Sequence, residues 1–200
     1  RQIRGLEDIA ITTNGYLLAE KAQELAAAGF PRVTVSLDSM DPEKFARMAR
    51  TPASLEKVMA GIEAALEAGL TPVKVNTVLV QGFNDDEIVE FARLARRQDI
   101  VVRFIEFMPL DADHVWKREL VVTAKDVVEA INRVFPLVEI PRRSLSETSL
   151  RYRFADGQGE IGIVAPVSIP SCNQCSRIRL TADGKIRTCL FSLKEHDVRH

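Results

Sequence analysis

The feature that most constrains the fold is a fourfold alternation between short apolar runs and amphipathic helical patterns. Apolar residues dominate the stretches 6–11, 32–37, 73–80 and 100–107. After each of them, apolar residues recur at helical spacing, as Leu18, Ala22 and Leu25 do after the first. Strands that alternate with helices form βαβ units, which build parallel sheets. The pattern therefore predicts an α/β fold with a parallel sheet.

Residues typical of helix ends support this reading. Asp41 precedes Pro42, a pair that suits the cap and first turn of a short helix. Asp85 is expected to cap the helix that follows the third strand. Gly29 and Gly69 stand where two helical patterns stop, and glycine readily takes the left-handed conformation of a helix end.

The sequence pattern changes from helical periodicity to short strand-like pieces after a final helix that starts near Thr123 and includes Val134. Strand-like pieces follow at 151–154, 160–164, 177–180 and 185–189, and Ala182-Asp183-Gly184 indicates a hairpin turn. We expect a partial β/α barrel over residues 1–135 and a smaller antiparallel region over residues 136–200. A closed barrel needs about eight strands, so the barrel is predicted to be incomplete, with residues missing at its front.

Polar residues recur with a period of two where the predicted strands end. They are Thr12 and Asn14, then Thr34, Ser36 and Asp38, then Lys74 and Asn76, and finally Glu106 with Met108. A period of two places residues on one face of a strand. Ligands of β/α barrels bind at the carboxyl ends of the strands, so these residues predict a binding site there.

Each of these residues also has a structural interpretation. Asp38 is the strongest structural case, since it could cap the following turn, and Glu106 could pair with Arg103 or Lys74. Met108 has the size and flexibility of a core filler. Lys74 is the strongest functional candidate, because an ammonium group among valines is suited to a carboxylate or phosphate ligand.

The three cysteines, Cys172, Cys175 and Cys189, lie within eighteen residues of one another and are odd in number. This distribution indicates a metal site better than a disulfide framework. Zinc in a closed site takes four protein ligands, and His196 or His200 could supply the fourth. An iron–sulfur cluster with three cysteines would leave one iron without a protein ligand. Spacing alone leaves both metals open.

Arginines flank the cysteines. Arg177 and Arg179 share a strand face by their spacing, and Arg187 lies on the opposite strand of the predicted hairpin. Guanidinium groups beside a metal centre suit an anionic substrate, although a solvated basic strand edge would give the same pattern. His114 and Trp116 are interpreted as loop or lid residues.

The balance of charge argues against nucleic-acid and membrane partners. The formal net charge is −1, and the longest apolar runs are far shorter than the roughly 18 residues of a membrane span. No signal-peptide pattern heads the sequence, so we expect a cytoplasmic protein.

Five motifs together resemble a known family. They are Ile11-Thr12-Thr13-Asn14-Gly15, Val35-Ser36-Leu37-Asp38-Ser39, Val73-Lys74-Val75-Asn76, Arg103-Phe104-Ile105-Glu106-Phe107-Met108 and Cys172-Asn173-Gln174-Cys175-Ser176-Arg177. Their order and spacing are similar to those of the GTP 3′,8-cyclase family of molybdenum cofactor biosynthesis, within the radical S-adenosylmethionine (SAM) superfamily. The likeness runs from about residue 6 to residue 193.

The resemblance implies an incomplete radical SAM barrel with two [4Fe-4S] clusters, of which one is ligated here, on the carboxy-terminal region. The amino-terminal three-cysteine motif of such enzymes has no counterpart in this sequence, and neither do the glycine-rich segment after it and the carboxy-terminal tail. We therefore expect an internal fragment that is inactive by itself.

Carried over residue by residue, the resemblance implies that Ser36 and Met108 bind S-adenosylmethionine. It implies that GTP is bound by Thr12, Lys74, Arg177, Ile178 and Arg179, and that the second cluster is bound by Cys172, Cys175 and Cys189. The implied reaction converts GTP to (8S)-3′,8-cyclo-7,8-dihydroguanosine 5′-triphosphate, through a radical made from S-adenosylmethionine at the missing cluster. The implied recipient of the product is cyclic pyranopterin monophosphate synthase, and a homodimer is compatible with the resemblance.

Two alternatives remain at this point. One is a peptide-modifying radical SAM enzyme, whose tail usually carries more cysteines than three. The other is a β/α scaffold without enzymatic activity that holds a structural zinc.

Overall fold

The computed structural model describes residues 4–5, 8–50, 54–110, 115–144, 147–170, 172, 175–192 and 194–199. The start of the first predicted strand at residues 6–7, His114 and His200 lie outside these ranges. No helix within them is long and apolar enough to cross a membrane.

The elements follow one another largely as the pattern predicts. The helices are α1 (Leu18–Ala27), α2 (Pro42–Ala49), α3 (Leu55–Glu67), α4 (Ile88–Ala95) and α5 (Ala124–Asn132), with short 3₁₀ turns at Asp85–Glu87 and Arg118–Leu120. The strands are β1 (Ile11–Thr13), β2 (Val33–Ser36), β3 (Val73–Leu79), β4 (Ile100–Glu106), β5 (Leu137–Ile140), β6 (Leu150–Phe154), β7 (Glu160–Val164), β8 (Arg179–Leu180), β9 (Lys185–Arg187) and β10 (His196–Asp197).

Seven strands form one sheet in the order β1-β2-β3-β4-β7-β6-β5. Strands β1 to β4 are mutually parallel, which confirms the predicted α/β fold with a parallel sheet. Strand β7 also pairs in parallel with β4. The expectation that residues 160–164 belong to an antiparallel tail was therefore wrong, because β7 returns to the open edge of β4 and extends the sheet there.

The antiparallel part is smaller than predicted. Strands β6 and β5 pair antiparallel beyond β7, and β8, β9 and β10 form a separate three-stranded antiparallel sheet. The predicted hairpin joins β8 to β9. Its Gly184 has φ +78°, a backbone conformation that residues other than glycine rarely adopt. The division of the chain near residue 135 stays a prediction.

Side-chain caps explain where two helices begin. The Asp41 carboxylate accepts the backbone N–H groups of Glu43 and Lys44, which caps α2 as predicted. Thr123 and Asp126 form a reciprocal capping box at α5. Asp85 was wrongly expected to cap α4: it accepts the N–H of Gly82 instead.

The two faces of the sheet differ in burial. Along β3, Val73, Val75 and Leu79 are at most 1% exposed and belong to the core cluster that the helices contribute to. The intervening residues of β3 are only partly buried. One face is thus covered by helices, and the other, which we call the lumen face, is left for polar side chains and ligands.

Candidate functional site

The strand register places the predicted polar residues of β1, β2 and β3 on the lumen face. Thr12 lies beside Thr34, which lies beside Lys74. One step further along the strands, Ser36 lies beside Asn76, which lies beside Arg103 of β4. Residues paired in register share a face of the sheet, so these side chains form a continuous polar surface that leads to the carboxyl ends of the strands.

This surface carries an excess of positive charge around Lys74. Burial lowers the pKa of Lys74, and the nearby cations Arg103, Arg32 and Arg143 lower it further. Burial also lowers the pKa of Arg103, whose Nε donates to Asn76 Oδ1 at 2.8 Å. No carboxylate of the described residues lies within salt-bridge distance of Lys74, so an anionic ligand would relieve this repulsion.

Glu106 does not belong to the lumen face. It is in register with Leu79, a core residue, and is itself 2% exposed. Its carboxylate accepts the backbone N–H groups of Ala124, Val167 and Ser168 rather than pairing with Arg103 or Lys74. The prediction that Glu106 lies on the polar face was wrong. The face of β4 that carries Glu106 also carries Phe104, which packs against Phe91 of α4.

Asp38 makes a structural contact, but it is not the turn cap that was predicted. Its Oδ1 accepts the N–H of Val78 at 2.8 Å and so continues the pairing of β2 with β3 past the last residue of β2. Burial raises the pKa of this carboxyl group, and the bond from Val78 opposes that shift. The turn after β2 is capped by Asp41 instead.

Two buried side chains that sequence reasoning missed hold the carboxyl ends of β2 and β3 together. Asn84, which is 0% exposed, donates to the carbonyls of Asp38 and Val78 and accepts the N–H of Val80. The Glu87 carboxylate accepts from Ser39 Oγ and from the N–H of Met40. The only sequence signal was a polar turn without periodicity, Asn84 to Glu87, directly after a strand.

A pocket of about 340 Å³ joins the parallel sheet to the cysteine segment. It brings together several of the predicted site residues: Met108, Cys172, Cys175, Arg177, Arg179 and Cys189. Thr148, Val164, Phe191 and other residues complete its wall. Ile178 does not line the pocket and is 70% exposed. Thr12, Ser36 and Lys74 lie on the lumen face and outside this wall.

The cysteines are unpaired and exposed. Arg177 Nε donates to Cys175 Sγ at 3.3 Å, and the backbone N–H and guanidinium of Arg177 lower the pKa of that thiol. Arg187 behaves differently: its Nε donates to Glu195 at 2.6 Å, and it does not line the pocket. Arg187 is paired in register with Arg179 across β8 and β9, so it lies beside that arginine, and its role at a metal centre stays a prediction.

Among the described residues, these thiols do not form a ready-made site for a single metal ion. Two sulfur ligands of one zinc ion, each about 2.3 Å from it, lie at most about 4.6 Å apart. In the part of the chain that the structure describes, no group of three His, Cys, Asp or Glu side chains is close enough to hold one metal ion, and His196 lies exposed on β10.

Trp116 donates its indole N–H to the carbonyl of Phe107 at 2.9 Å. It is therefore attached to the end of β4, directly before Met108, and the lid role suggested for it stays a prediction.

Comparison with known proteins places this geometry in a family. Residues 100–200 match the family described as Molybdenum Cofactor Synthesis C. The chain belongs to this family. Residues 1–95 match the Radical SAM superfamily. The resemblance that the five motifs indicated is confirmed, and radical SAM proteins use S-adenosylmethionine and an iron–sulfur cluster.

Several known proteins are similar over almost the whole chain. A GTP 3′,8-cyclase of Acidothermus cellulolyticus is 42% identical over 97% of this chain and 54% of its own length. One from Peptoclostridium acidaminophilum is 44% identical over 97% of this chain and 59% of its own length. The chain thus spans little more than half the length of these relatives.

Among solved structures, a radical SAM methyltransferase from Sphaerobacter thermophilus matches with a TM-score of 0.48 and 20% identity, over 62% of this chain and 36% of that one. So distant a likeness supports no further inference.

Proposed function

We propose that this chain forms the substrate-binding part of a GTP 3′,8-cyclase. The observation that carries the proposal is the pocket in which Met108 at the end of β4 faces three cysteines and two arginines. Relatives of that name are similar to the chain from end to end. The pocket offers the three kinds of group that the reaction needs: a cofactor contact, thiolates for a cluster and cations for a triphosphate.

The cations of the pocket and of the lumen face have complementary roles in this proposal. Arg177 and Arg179 lie beside the cysteines and would neutralise negative charge on GTP near the cluster. Lys74 and Arg103 lie deeper on the lumen face, where burial keeps them free of strong hydration. Guanidinium groups bind phosphate oxygens in pairs, and Lys74 adds a point charge. Thr12, in the row of Lys74, would add a hydroxyl contact.

Cys172, Cys175 and Cys189 would hold a [4Fe-4S] cluster, the second of two in the protein, and leave one of its irons for the purine. Ser36 and Met108 would contact S-adenosylmethionine from the carboxyl ends of β2 and β4. When bound, S-adenosylmethionine and its cluster supply the radical that removes a hydrogen atom from the GTP ribose. The residues of this chain would orient GTP and keep water away, so their contribution is mainly positioning.

The same proposal includes a recipient for the product. An unstable cyclised nucleotide would pass to the next enzyme, cyclic pyranopterin monophosphate synthase. A cytoplasmic location and a homodimer stay predictions.

The test compares arginines that line the pocket with one that does not. In the full-length protein, reconstituted without oxygen, Arg177→Ala combined with Arg179→Ala should weaken GTP binding at least about 100-fold, because two charge-assisted contacts are lost. Iron and sulfide content should stay unchanged. Arg187→Ala, the matched control, should bind GTP within about twofold of the wild type. Equilibrium dialysis with GTP measures the affinities.

Two results would refute the proposal. One is GTP binding that survives the double substitution. The other is a wild-type protein that contains one zinc and no acid-labile sulfide. In the positive case, GTP, S-adenosylmethionine and reductant should give 5′-deoxyadenosine together with a cyclised GTP.

A further inference from the structure

Glu106 is a buried carboxylate at the carboxyl end of β4 with an unusual set of partners. It is 2% exposed and lies among core residues on the helix-covered face of the sheet. Its Oε1 accepts the N–H of Ala124 at 3.1 Å and the hydroxyl of Ser168. Its Oε2 accepts the N–H groups of Val167 and Ser168 at 2.8 and 2.9 Å.

These four bonds replace a counter-ion. Glu106 has no ion pair with any lysine, arginine or histidine of the described residues. A buried carboxylate is costly unless hydrogen bonds satisfy it, and bonds to a charged acceptor are about twice as strong as neutral ones. The donors are therefore held firmly against the end of β4.

The hydrogen-bond partners of Glu106 belong to two other parts of the fold. Ala124 is the first residue of α5. Val167 and Ser168 follow directly after the segment that leaves β7, and Cys172 comes four residues later. Met108 comes two residues after Glu106 in the sequence. One carboxylate thus joins the strand that carries Met108 to the segment that carries the first cysteine.

The junction adjoins the pocket in sequence on both of its strands of chain. Its wall includes Met108 on one side and Pro166, Ile169, Pro170 and Cys172 on the other. Glu106 is not one of the residues that line the pocket. It binds Val167 and Ser168, and the residues on either side of this pair, Pro166 and Ile169, line the pocket.

We propose that Glu106 is a positioning residue that sets the distance between the cysteine segment and Met108, and thereby the fit of GTP between them. The inference rests on the proposed function and goes beyond it, since it assigns a role to a residue outside the pocket. A shift of about 1 Å in such a wall is enough to weaken a positioned ligand strongly.

The experiment uses the full-length protein with both clusters reconstituted. Glu106→Gln keeps the shape but has only one acceptor oxygen, so it can serve Val167 and Ser168 or Ala124, but not all of them. Ser168→Ala removes the hydroxyl donor alone and is the milder variant. Glu129→Gln, an exposed glutamate of α5, is the matched control.

Three quantities are measured: the Kd of GTP, the Kd of S-adenosylmethionine, and the change in the electron paramagnetic resonance spectrum of the reduced carboxy-terminal cluster when GTP is added. Glu106→Gln should raise the Kd of GTP about tenfold and diminish the spectral change, because the cysteine segment moves relative to the sheet. The Kd of S-adenosylmethionine should change less than about twofold. Ser168→Ala should raise the Kd of GTP by about threefold, and Glu129→Gln should leave all three quantities unchanged.

A purely structural role would give a different result. If Glu106→Gln lowers the melting temperature and leaves the Kd of GTP as it is, or weakens both ligands equally, the inference is wrong. If Glu106→Gln does not fold, Ser168→Ala decides by the same criteria. A wild-type protein that binds no GTP refutes the proposed function itself, and the wild-type measurement separates that failure from the failure of this inference.

Discussion

The carboxyl end of the parallel sheet, the sheet side, and the cysteine region, the cysteine side, are held in place by different kinds of interaction. The carboxyl end of the parallel sheet is fixed by buried polar side chains, of which Asn84 and Ser39 are 0% exposed. The region from Cys172 onward is held by partly exposed ion pairs, such as those of Lys185 and Arg187 with Glu195. Within the described part of the chain, the buried apolar core ends at Ala165.

This difference indicates how each side becomes ordered. Buried hydrogen bonds that cannot be replaced by water are costly to break, whereas exposed ion pairs contribute about 0–1 kcal/mol. A small region without a core usually needs a metal or a disulfide to stay folded. We therefore expect the sheet side to be formed by the protein itself and the cysteine side, residues 172–199, to depend on its cluster.

The largest effect should come from Cys189→Ser. Loss of one thiolate should prevent assembly of the carboxy-terminal cluster and weaken GTP binding at least about 100-fold, because both the metal and the position of Arg177 are lost. Hydrogen exchange followed by mass spectrometry should show fast exchange in residues 172–199 and unchanged protection in β3 and β4. Ser192→Ala, three residues away, serves as the control and should keep the cluster.

This result would support two separately stabilised sides. Loss of protection in β3 and β4 as well would show that the two sides are not stabilised separately, since the sheet would then depend on the cluster too.

The next effect in size concerns the sheet side. Asn84→Ala removes one amide that serves Asp38, Val78 and Val80, and leaves their buried backbone groups without partners. The free energy of unfolding should fall by about 3 kcal/mol, as measured by urea denaturation of the full-length protein. Asp86→Ala, an exposed neighbour that pairs with Lys44, should cost less than about 1 kcal/mol. Equal losses for both variants would show that the Asn84 contacts do not determine the stability of the sheet side.

The smallest effect is a change in pH dependence. Burial raises the pKa of Asp38 above its ordinary value of 3.8, so the folded protein binds this proton more tightly than the unfolded chain does. The contribution of Asp38 to stability is thus greatest below both pKa values and falls as the pH rises through the raised pKa. Asp38→Asn keeps an acceptor for Val78 but cannot titrate, so the decline in stability above pH 3.8 should become shallower. A set of urea titrations between acidic and neutral pH measures this, and an unchanged slope would mean that Asp38 is not the group responsible.

Local features of the sequence were sufficient for much of the fold. The four parallel strands and the helices between them follow from apolar periodicity, because burial of apolar faces is governed by residues close in sequence. The cap Asp41 was recognisable because a helix start needs an acceptor within three residues. The cysteine spacing and its hairpin turn are also local, and Met108, Arg177 and Arg179 do meet the cysteines in one pocket.

The sequence by itself determined which residue types stand at the ends of the strands and in the cysteine segment. Only the tertiary structure decided which of them lie on the lumen face or line the pocket. Glu106 has the same spacing to Met108 as Ser36 has to Asp38, yet it is turned to the core, where backbone donors from residues 124, 167 and 168 satisfy it. Arg187 is an arginine of the same hairpin as Arg179, yet its guanidinium group donates to the carboxylate of Glu195. In both cases the deciding partner lies elsewhere in the chain, and periodicity holds no information about contacts that the folded backbone creates.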